Sequence, residues 1–370
     1  MSKQLISAYR VCSSFIEGYT PFKLINRIFF FRCLMNDRWG WLNQFSDINF
    51  YNLNERPKSI PSKPVVFADE IDRRANEILN LAYNNDKQII VSYSGGVDSS
   101  CVVSSLIKNN TRNQKLAILF TDESINENPE MFDFIKRNNI TLYHKNSDDL
   151  YDDLNIHNDY IFTNGWCADQ LFHFGIINFL PDDAFHVNWK DGIVYMLEVL
   201  HKSSKDELIP YSDAIDILDD YMSHVLDHPI TELCEFAWFW NFVCKYSYIR
   251  NVVNLESRSE YLLNHNIPFF DTCAFNIFAL QNYHTIKERG IWIRDPSSYK
   301  MELKRYTADI TGNANGLKQT KLPSYIHRYK YTQSQLKFSV IDDQGLTVVD
   351  NMENQYSKYA YLMTHYKKFG

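Results

Sequence analysis

The sequence has no CxxC pair, and its seven cysteines, Cys12, Cys33, Cys101, Cys167, Cys234, Cys244 and Cys273, are scattered and odd in number. That spacing offers no thiol zinc ribbon and no dithiol redox site, and it suits a reducing compartment. A run of about 20 apolar residues, the length a spanning helix needs, is also missing. Ile25 to Met35 is broken by Arg27 and Arg32, and Leu233 to Cys244 contains Glu235. No membrane partner is expected. The N-terminus lacks the continuous apolar stretch and small-residue cleavage site of a secretory signal, so the expected location is the cytoplasm. Excess positive charge is missing as well: 45 acidic against 38 basic residues leave −7, which removes any global attraction to nucleic acid or anionic lipid.

What is present is a globular composition, 45% hydrophobic and 22% charged over 370 residues, enough for a substantial core. Residues 1–66 mix aromatic and basic side chains and end in Pro57-Lys-Ser-Ile-Pro61-Ser-Lys-Pro64, a helix- and strand-breaking linker. They read as an N-terminal extension, residues 67–337 as the main domain and 338–370 as a tail packed on it. Ile71, Ala75, Ile78, Leu79 and Ala82 recur at helical intervals, and Gln88-Ile-Ile-Val-Ser-Tyr93 is a short β-branched run of the buried-strand kind. Strand, helix, strand, helix, strand then alternate through Tyr143, and Asp159-Tyr-Ile-Phe162 is a further strand. The expected fold is α/β, a five-stranded parallel sheet flanked by helices, with a mainly helical C-terminal half. Phe236, Trp238, Phe239, Trp240 and Phe242 read as a helical core rather than a cofactor box.

The chemistry concentrates in Ser94-Gly95-Gly96-Val97-Asp98-Ser99-Ser100, which follows a strand and opens a helix. A loop that cradles phosphates needs backbone N–H groups turned inward and gains from a helix N-terminus; Gly95 and Gly96 permit the turn. Ser94, Ser99 and Ser100 add hydroxyls, and Asp98 suits a Mg²⁺ bridging phosphate oxygens. The Gly-Lys-Ser/Thr ending of a Walker A loop is absent. Cys101, near the helix start where a thiol pKa can fall, lies on the apolar side of its helix pattern. His224 and His228 stand one turn apart with no third ligand nearby, the pattern of a surface helix.

The loop resembles that of the PP-loop ATP pyrophosphatases. Thr163-Asn-Gly165-Trp166-Cys-Ala-Asp169-Gln170-Leu-Phe172 narrows the resemblance toward the synthase domain of asparagine synthetases, whose corresponding segment is Ser-Gly-Glu-Gly-Ala-Asp-Glu-Leu-Phe. By that resemblance Gly165 belongs to the ATP site and Asp169 is the second Mg²⁺ carboxylate. Asn266-Ile-Pro-Phe-Phe-Asp271 is similar to the family's Arg-Val-Pro-Phe-Leu-Asp, which makes Asp271 a site carboxylate, or else a cap of the following helix. Gly316-Leu-Lys318-Gln-Thr-Lys321-Leu-Pro323 resembles the late Arg-Pro-Lys segment, implying that Lys318, or Lys321 in reserve, meets the departing pyrophosphate.

The resemblance implies an ATP- and Mg²⁺-dependent ligase. A carboxylate or amide oxygen of a small-molecule substrate attacks the α-phosphorus, and a nitrogen nucleophile then displaces AMP. The family's full-length members begin with a glutaminase domain and a cysteine directly after the initiator; Ser2 stands here, so a partner supplying ammonia or an amine is implied. Trp166 replaces the glutamate of the asparagine-forming enzymes and cannot take a proton from an amine, whereas the related β-lactam synthetases carry an aromatic residue there. Asparagine itself is therefore not the expected product. Two other readings stand beside this one: a tRNA- or nucleotide-modifying PP-loop enzyme, and a non-catalytic nucleotide-binding module. For nucleic acid speaks the segment 300–337, with eight basic residues against two acidic ones, a net +6, and with Tyr325, Tyr329 and Tyr331 interleaved.

Overall fold

The computed structural model describes residues 4–8, 38–39, 49–50, 57, 59–144, 159–172, 186–194, 211–226, 229–244, 246, 265–283, 300–319, 338–342 and 345–349. Two strands near the start, β1 (Gln4–Ala8) and β2 (Asn49–Phe50), precede the helix α1 (Phe67–Asn84). β3 (Gln88–Ser92), α2 (Val97–Asn109), β4 (Leu116–Phe120), α3 (Asp122–Glu127), α4 (Pro129–Arg137), β5 (Thr141–His144), β6 (Tyr160–Asn164) and α5 (Ala168–Leu171) follow. Later come α6 (Tyr211–Val225), α7 (Leu233–Phe239) running into a π-helical turn Trp240–Cys244, β7 (Asn266–Pro268), α8 (Cys273–Asn282) and α9 (Met301–Thr311). A 3₁₀ turn Ala314–Lys318 and the strands β8 (Phe338–Asp342) and β9 (Gly345–Val349) complete the order.

The main sheet has five strands in the order β5-β4-β3-β6-β7, every pair parallel. A parallel sheet covered on both faces needs strands that are apolar on both sides, and all five residues of β4 and of β6 are buried. α1 turns Phe67, Ile71, Ala75, Ile78, Leu79 and Ala82 inward, so the helical spacing read from sequence is the spacing that is buried. β7 supplies the fifth strand at the sheet edge. An edge is where its proline can sit without breaking a ladder.

β1 and β2 pair in parallel, and β1 pairs antiparallel with β8, which pairs with β9, giving a second sheet in the order β2-β1-β8-β9. Segments from the two ends of the chain thus share one sheet.

The expected aromatic core is present: Phe236, Trp238, Phe239, Trp240 and Phe242 are all buried. Trp238 stacks between Phe242 and Tyr283 at centroid distances of 4.9 and 4.8 Å, and Trp189 stacks on Phe236 at 5.2 Å. No helix among the described residues is long and apolar enough to cross a membrane.

Candidate functional site

The sheet order reverses between β3 and β6: from β3 the chain runs outward through β4 to β5, then returns to lay β6 on β3's other side. The carboxyl ends of two such strands flank the usual ligand crevice of an open α/β sheet. Ser94 to Ser100 leave β3 at this point and 163–172 leave β6.

Within the first loop Gly95 has φ +79, and a Cβ there would meet Ser124 O at 2.5 Å, so only glycine makes the turn. Ser99 Oγ ties the loop together, accepting from Ser94 N–H (3.2 Å) and donating to Gly96 O (3.1 Å). Gly96 is the N-cap of α2 and, being glycine, brings no capping side chain to the start of that 13-residue helix. Gly165 presses the second loop on the first: a Cβ there would lie 2.8 Å from Ser99 N and 2.9 Å from Asp98 Cβ. Its glycine is explained by that approach of two backbones.

The closure brings Asp98 and Asp169 to one lysine, Lys300. Lys300 Nζ lies 2.5 and 2.6 Å from the two carboxylate oxygens of Asp98 and ion-pairs with Asp169. Its side chain is 5% exposed, against 21% and 29% for the two aspartates. Burial alone would lower its pKa, but Asp169 and Asp98 outweigh burial and hold the ammonium above the ordinary lysine value. The backbone contributes strain: Lys300 caps α9 at φ 54, and Cys167, the cap of α5 two residues before Asp169, has φ 74. Non-glycine residues adopt that region at a cost of about 1 to 3 kcal/mol each and only where surroundings fix them.

Lys300 carries no local motif in the sequence. Lys318, the lysine expected at the pyrophosphate, is exposed at the end of the 3₁₀ turn. Its neighbour Gln319 does reach the loop, donating from Nε2 to Gly95 O at 2.9 Å. Lys321, with Tyr325, Tyr329 and Tyr331, lies outside the described residues, as does His228. Asp271 is brought to a different cluster. Tyr246 Oη stands 2.8 and 2.9 Å from its carboxylate oxygens, and Thr272, not Asp271, caps α8 by accepting from Phe275 N–H. Arg38 lies beside this cluster, fully buried between the rings of Phe242 and Tyr246 at 4.0 Å from each. Cys101 departs from the expectation that a helix start lowers a thiol pKa. Burial, and then the charge of Asp98, push it well above the usual value.

A cleft of about 300 Å³ opens beside the loop, with Val97, Ser100, Asn128, Lys304, Thr307 and Gln319 in its wall. Charges of both signs, Arg137 with Lys304 and Glu130 with Asp133, also line it. The donor set fits Mg²⁺: two carboxylates on adjacent strand ends match an ion that takes one or two from protein and the rest from phosphate and water. Lys300 Nζ takes the place between the two carboxylates that such an ion would fill, so a metal held there requires the ammonium to turn aside.

No protein-family model matches the chain, and no curated protein sequence does. The narrowing toward asparagine synthetases therefore rests on the residues quoted above alone. Among solved structures, the U34-tRNA thiolase NcsA from Methanococcus maripaludis, described with its [4Fe-4S] cluster, is similar over 52% of this chain and 80% of its own, at 14% identity and a TM-score of 0.25. A likeness that weak fixes neither substrate nor activity, and the fold stands on its own strand order.

Proposed function

We propose that this chain is an ATP-consuming enzyme that adenylates an oxygen of its acceptor and releases pyrophosphate. One observation carries the reading: Asp98 and Asp169, from adjacent strand ends at the sheet's reversal point, converge on the buried Lys300 beside a glycine turn that opens a helix. The triphosphate lies in the Ser94 to Ser100 loop, at the start of α2. The acceptor oxygen attacks the α-phosphorus in line, the bond to the β-phosphate breaks, and a nitrogen nucleophile later displaces AMP. Lys300 faces the charge that develops on the leaving pyrophosphate, where a fixed cation stabilises the transition state more than bound ATP. Mg²⁺ held by Asp98 and Asp169 would add charge neutralisation at the phosphates.

The acceptor we favour is a small polar molecule bearing a carboxylate or amide, because the adjoining cleft offers amides, hydroxyls and both signs of charge. Modification of a tRNA base shares the adenylation step. It is favoured by one feature: in the sequence Lys321, Arg328 and Lys330 follow the turn that carries Lys318 and, through Gln319, touches the loop. Incubation with α-labelled ATP, Mg²⁺ and a cell extract divided into small molecules and RNA tests both. AMP plus pyrophosphate driven by the small-molecule fraction, and lost in Asp98→Asn, is the expected result. Stimulation by RNA alone selects the second reading, and ADP as the main product overturns both.

A further inference from the structure

Away from the nucleotide loop, the turn at 186–188 is fastened to the start of α7 by backbone. Trp189 N–H donates to Thr231 O at 3.1 Å, Leu233 N–H to Val187 O at 3.0 Å, and Asn188 and Glu232 form an antiparallel bridge. This register places three different metal-ligating side chains together. His186 Nδ1 is 2.9 Å from Glu232 Oε2, Cys234 Sγ is 3.6 Å from the same oxygen, and all three donor atoms lie within 4.8 Å of one another. Ligands of a tetrahedral zinc ion, each about 2.0 to 2.3 Å from the metal, stand roughly 3.3 to 3.8 Å apart, so small side-chain shifts suffice. Glu235, the other acid nearby, has its Oε2 engaged by Thr231 N–H, Thr231 Oγ1 and Glu232 N–H.

We propose that His186, Glu232 and Cys234 bind one divalent cation of the zinc type, in a site separate from the nucleotide loop and independent of the function proposed above. Thiolate and imidazole select such an ion over Mg²⁺ or Ca²⁺, which take oxygen ligands. Burial is graded across the site. Cys234 is fully buried and the His186 side chain is 57% exposed, so the His186 side is open for water as fourth ligand. Binding exchanges one proton for the metal, Cys–SH + M²⁺ giving Cys–S–M⁺ + H⁺, with no change of oxidation state. The ion would clip the 186–194 segment onto α7, over the stacked Trp189 and Phe236.

The test uses the full chain, stripped with a chelator, then titrated with Co²⁺ and with Zn²⁺ against a chromogenic chelator. One equivalent of Co²⁺ should give a thiolate charge-transfer band and the intense visible bands of a four-coordinate ion, and Zn²⁺ should raise the melting temperature. Cys234→Ser should abolish the charge-transfer band. His186→Ala, at an exposed position that leaves the fold intact, should weaken Zn²⁺ by at least about tenfold. Absence of a thiolate band, or its survival in a folded Cys234→Ser chain, overturns the site, as does unaltered Zn²⁺ affinity in His186→Ala. Binding without a thiolate band that vanishes in Asp98→Asn places the ion at the loop and also overturns it. AMP formation, measured in parallel, reports on the nucleotide site separately.

Discussion

A lysine at φ 54 with its ammonium between two carboxylates is costly to build, which is the reason to look for its use in Lys300. If its cation meets the leaving group as proposed, Lys300→Ala should slow pyrophosphate formation by about 10² to 10³ while changing ATP affinity much less. Lys318→Ala, at an exposed site, should stay within about threefold. Parent-like turnover in Lys300→Ala would reduce the ion pair to a structural role. Asp98 and Asp169 were legible because each sits in a short local motif. Lys300 was not, because it meets them across 202 and 131 residues and no neighbouring residue marks it. The cysteines permit a second check at this scale. Cys101, Cys167 and Cys234 are buried and Cys273 is exposed; burial, then Glu232, push the Cys234 thiol up to about 12. Brief iodoacetamide treatment of the folded chain at about pH 8 should therefore modify Cys273 and spare those three, as read by peptide mass mapping. Rapid labelling of Cys101 would mean that burial does not protect this thiol.

Three helices meet at Asp72 of α1. Its carboxylate accepts from Lys108 Nζ (2.6 Å) and Asn109 Nδ2 (2.8 Å) at the end of α2 and from Tyr306 Oη (2.5 Å) on α9. Burial would raise its pKa, but the hydrogen bonds from Asn109, Lys108 and Tyr306 outweigh burial and hold it below the ordinary 3.8. A depressed carboxyl pKa stabilises the fold above the unfolded-state value, and that contribution disappears as pH falls through the lower, folded one. Asp72→Asn should thus lose about 1 to 2 kcal/mol near neutrality, and the urea midpoints of parent and variant should converge below pH 3.8. A gap independent of pH would mean that the carboxylate's charge is irrelevant. This junction matters to the site because Lys300 is the N-cap of α9. The elements themselves differ in how plainly sequence announces them. β3, β4 and β6 are runs dense in Ile, Val, Leu and Phe and read as buried strands. β7 is three residues ending in a proline, strand-like only because β6 offers it a free edge. The π-helical turn at Trp240–Cys244 continues a helical pattern without a break in composition, so only packing reveals it.

Over the whole molecule, charge decides between the two acceptor classes. The net −7 opposes RNA; beside residues 1–66, with nine basic and four acidic residues, the +6 segment 300–337 is one counterweight in the sequence. The fold weakens that counterweight: Lys300 and Lys304 are 5% and 2% exposed, so two of its eight positive charges face the interior. Arg305 and Lys318 are exposed, and Lys321, Arg328, Lys330 and Lys337 lie outside the described residues. Of the six basic residues left, Arg305 and Lys318 are the two exposed among the described residues, and these two are taken as the phosphate contacts. The chain is therefore expected to bind tRNA weakly by fluorescence anisotropy, with log Kd changing by about 2 or less per decade of salt. The double variant Lys318→Ala/Lys321→Ala should keep ATP turnover within about threefold. A steep slope in the parent that falls by about 2 in the double variant would mean that both lysines neutralise phosphates. Base modification would then replace the small-molecule acceptor, with Lys300 and the two aspartates keeping the same adenylation step.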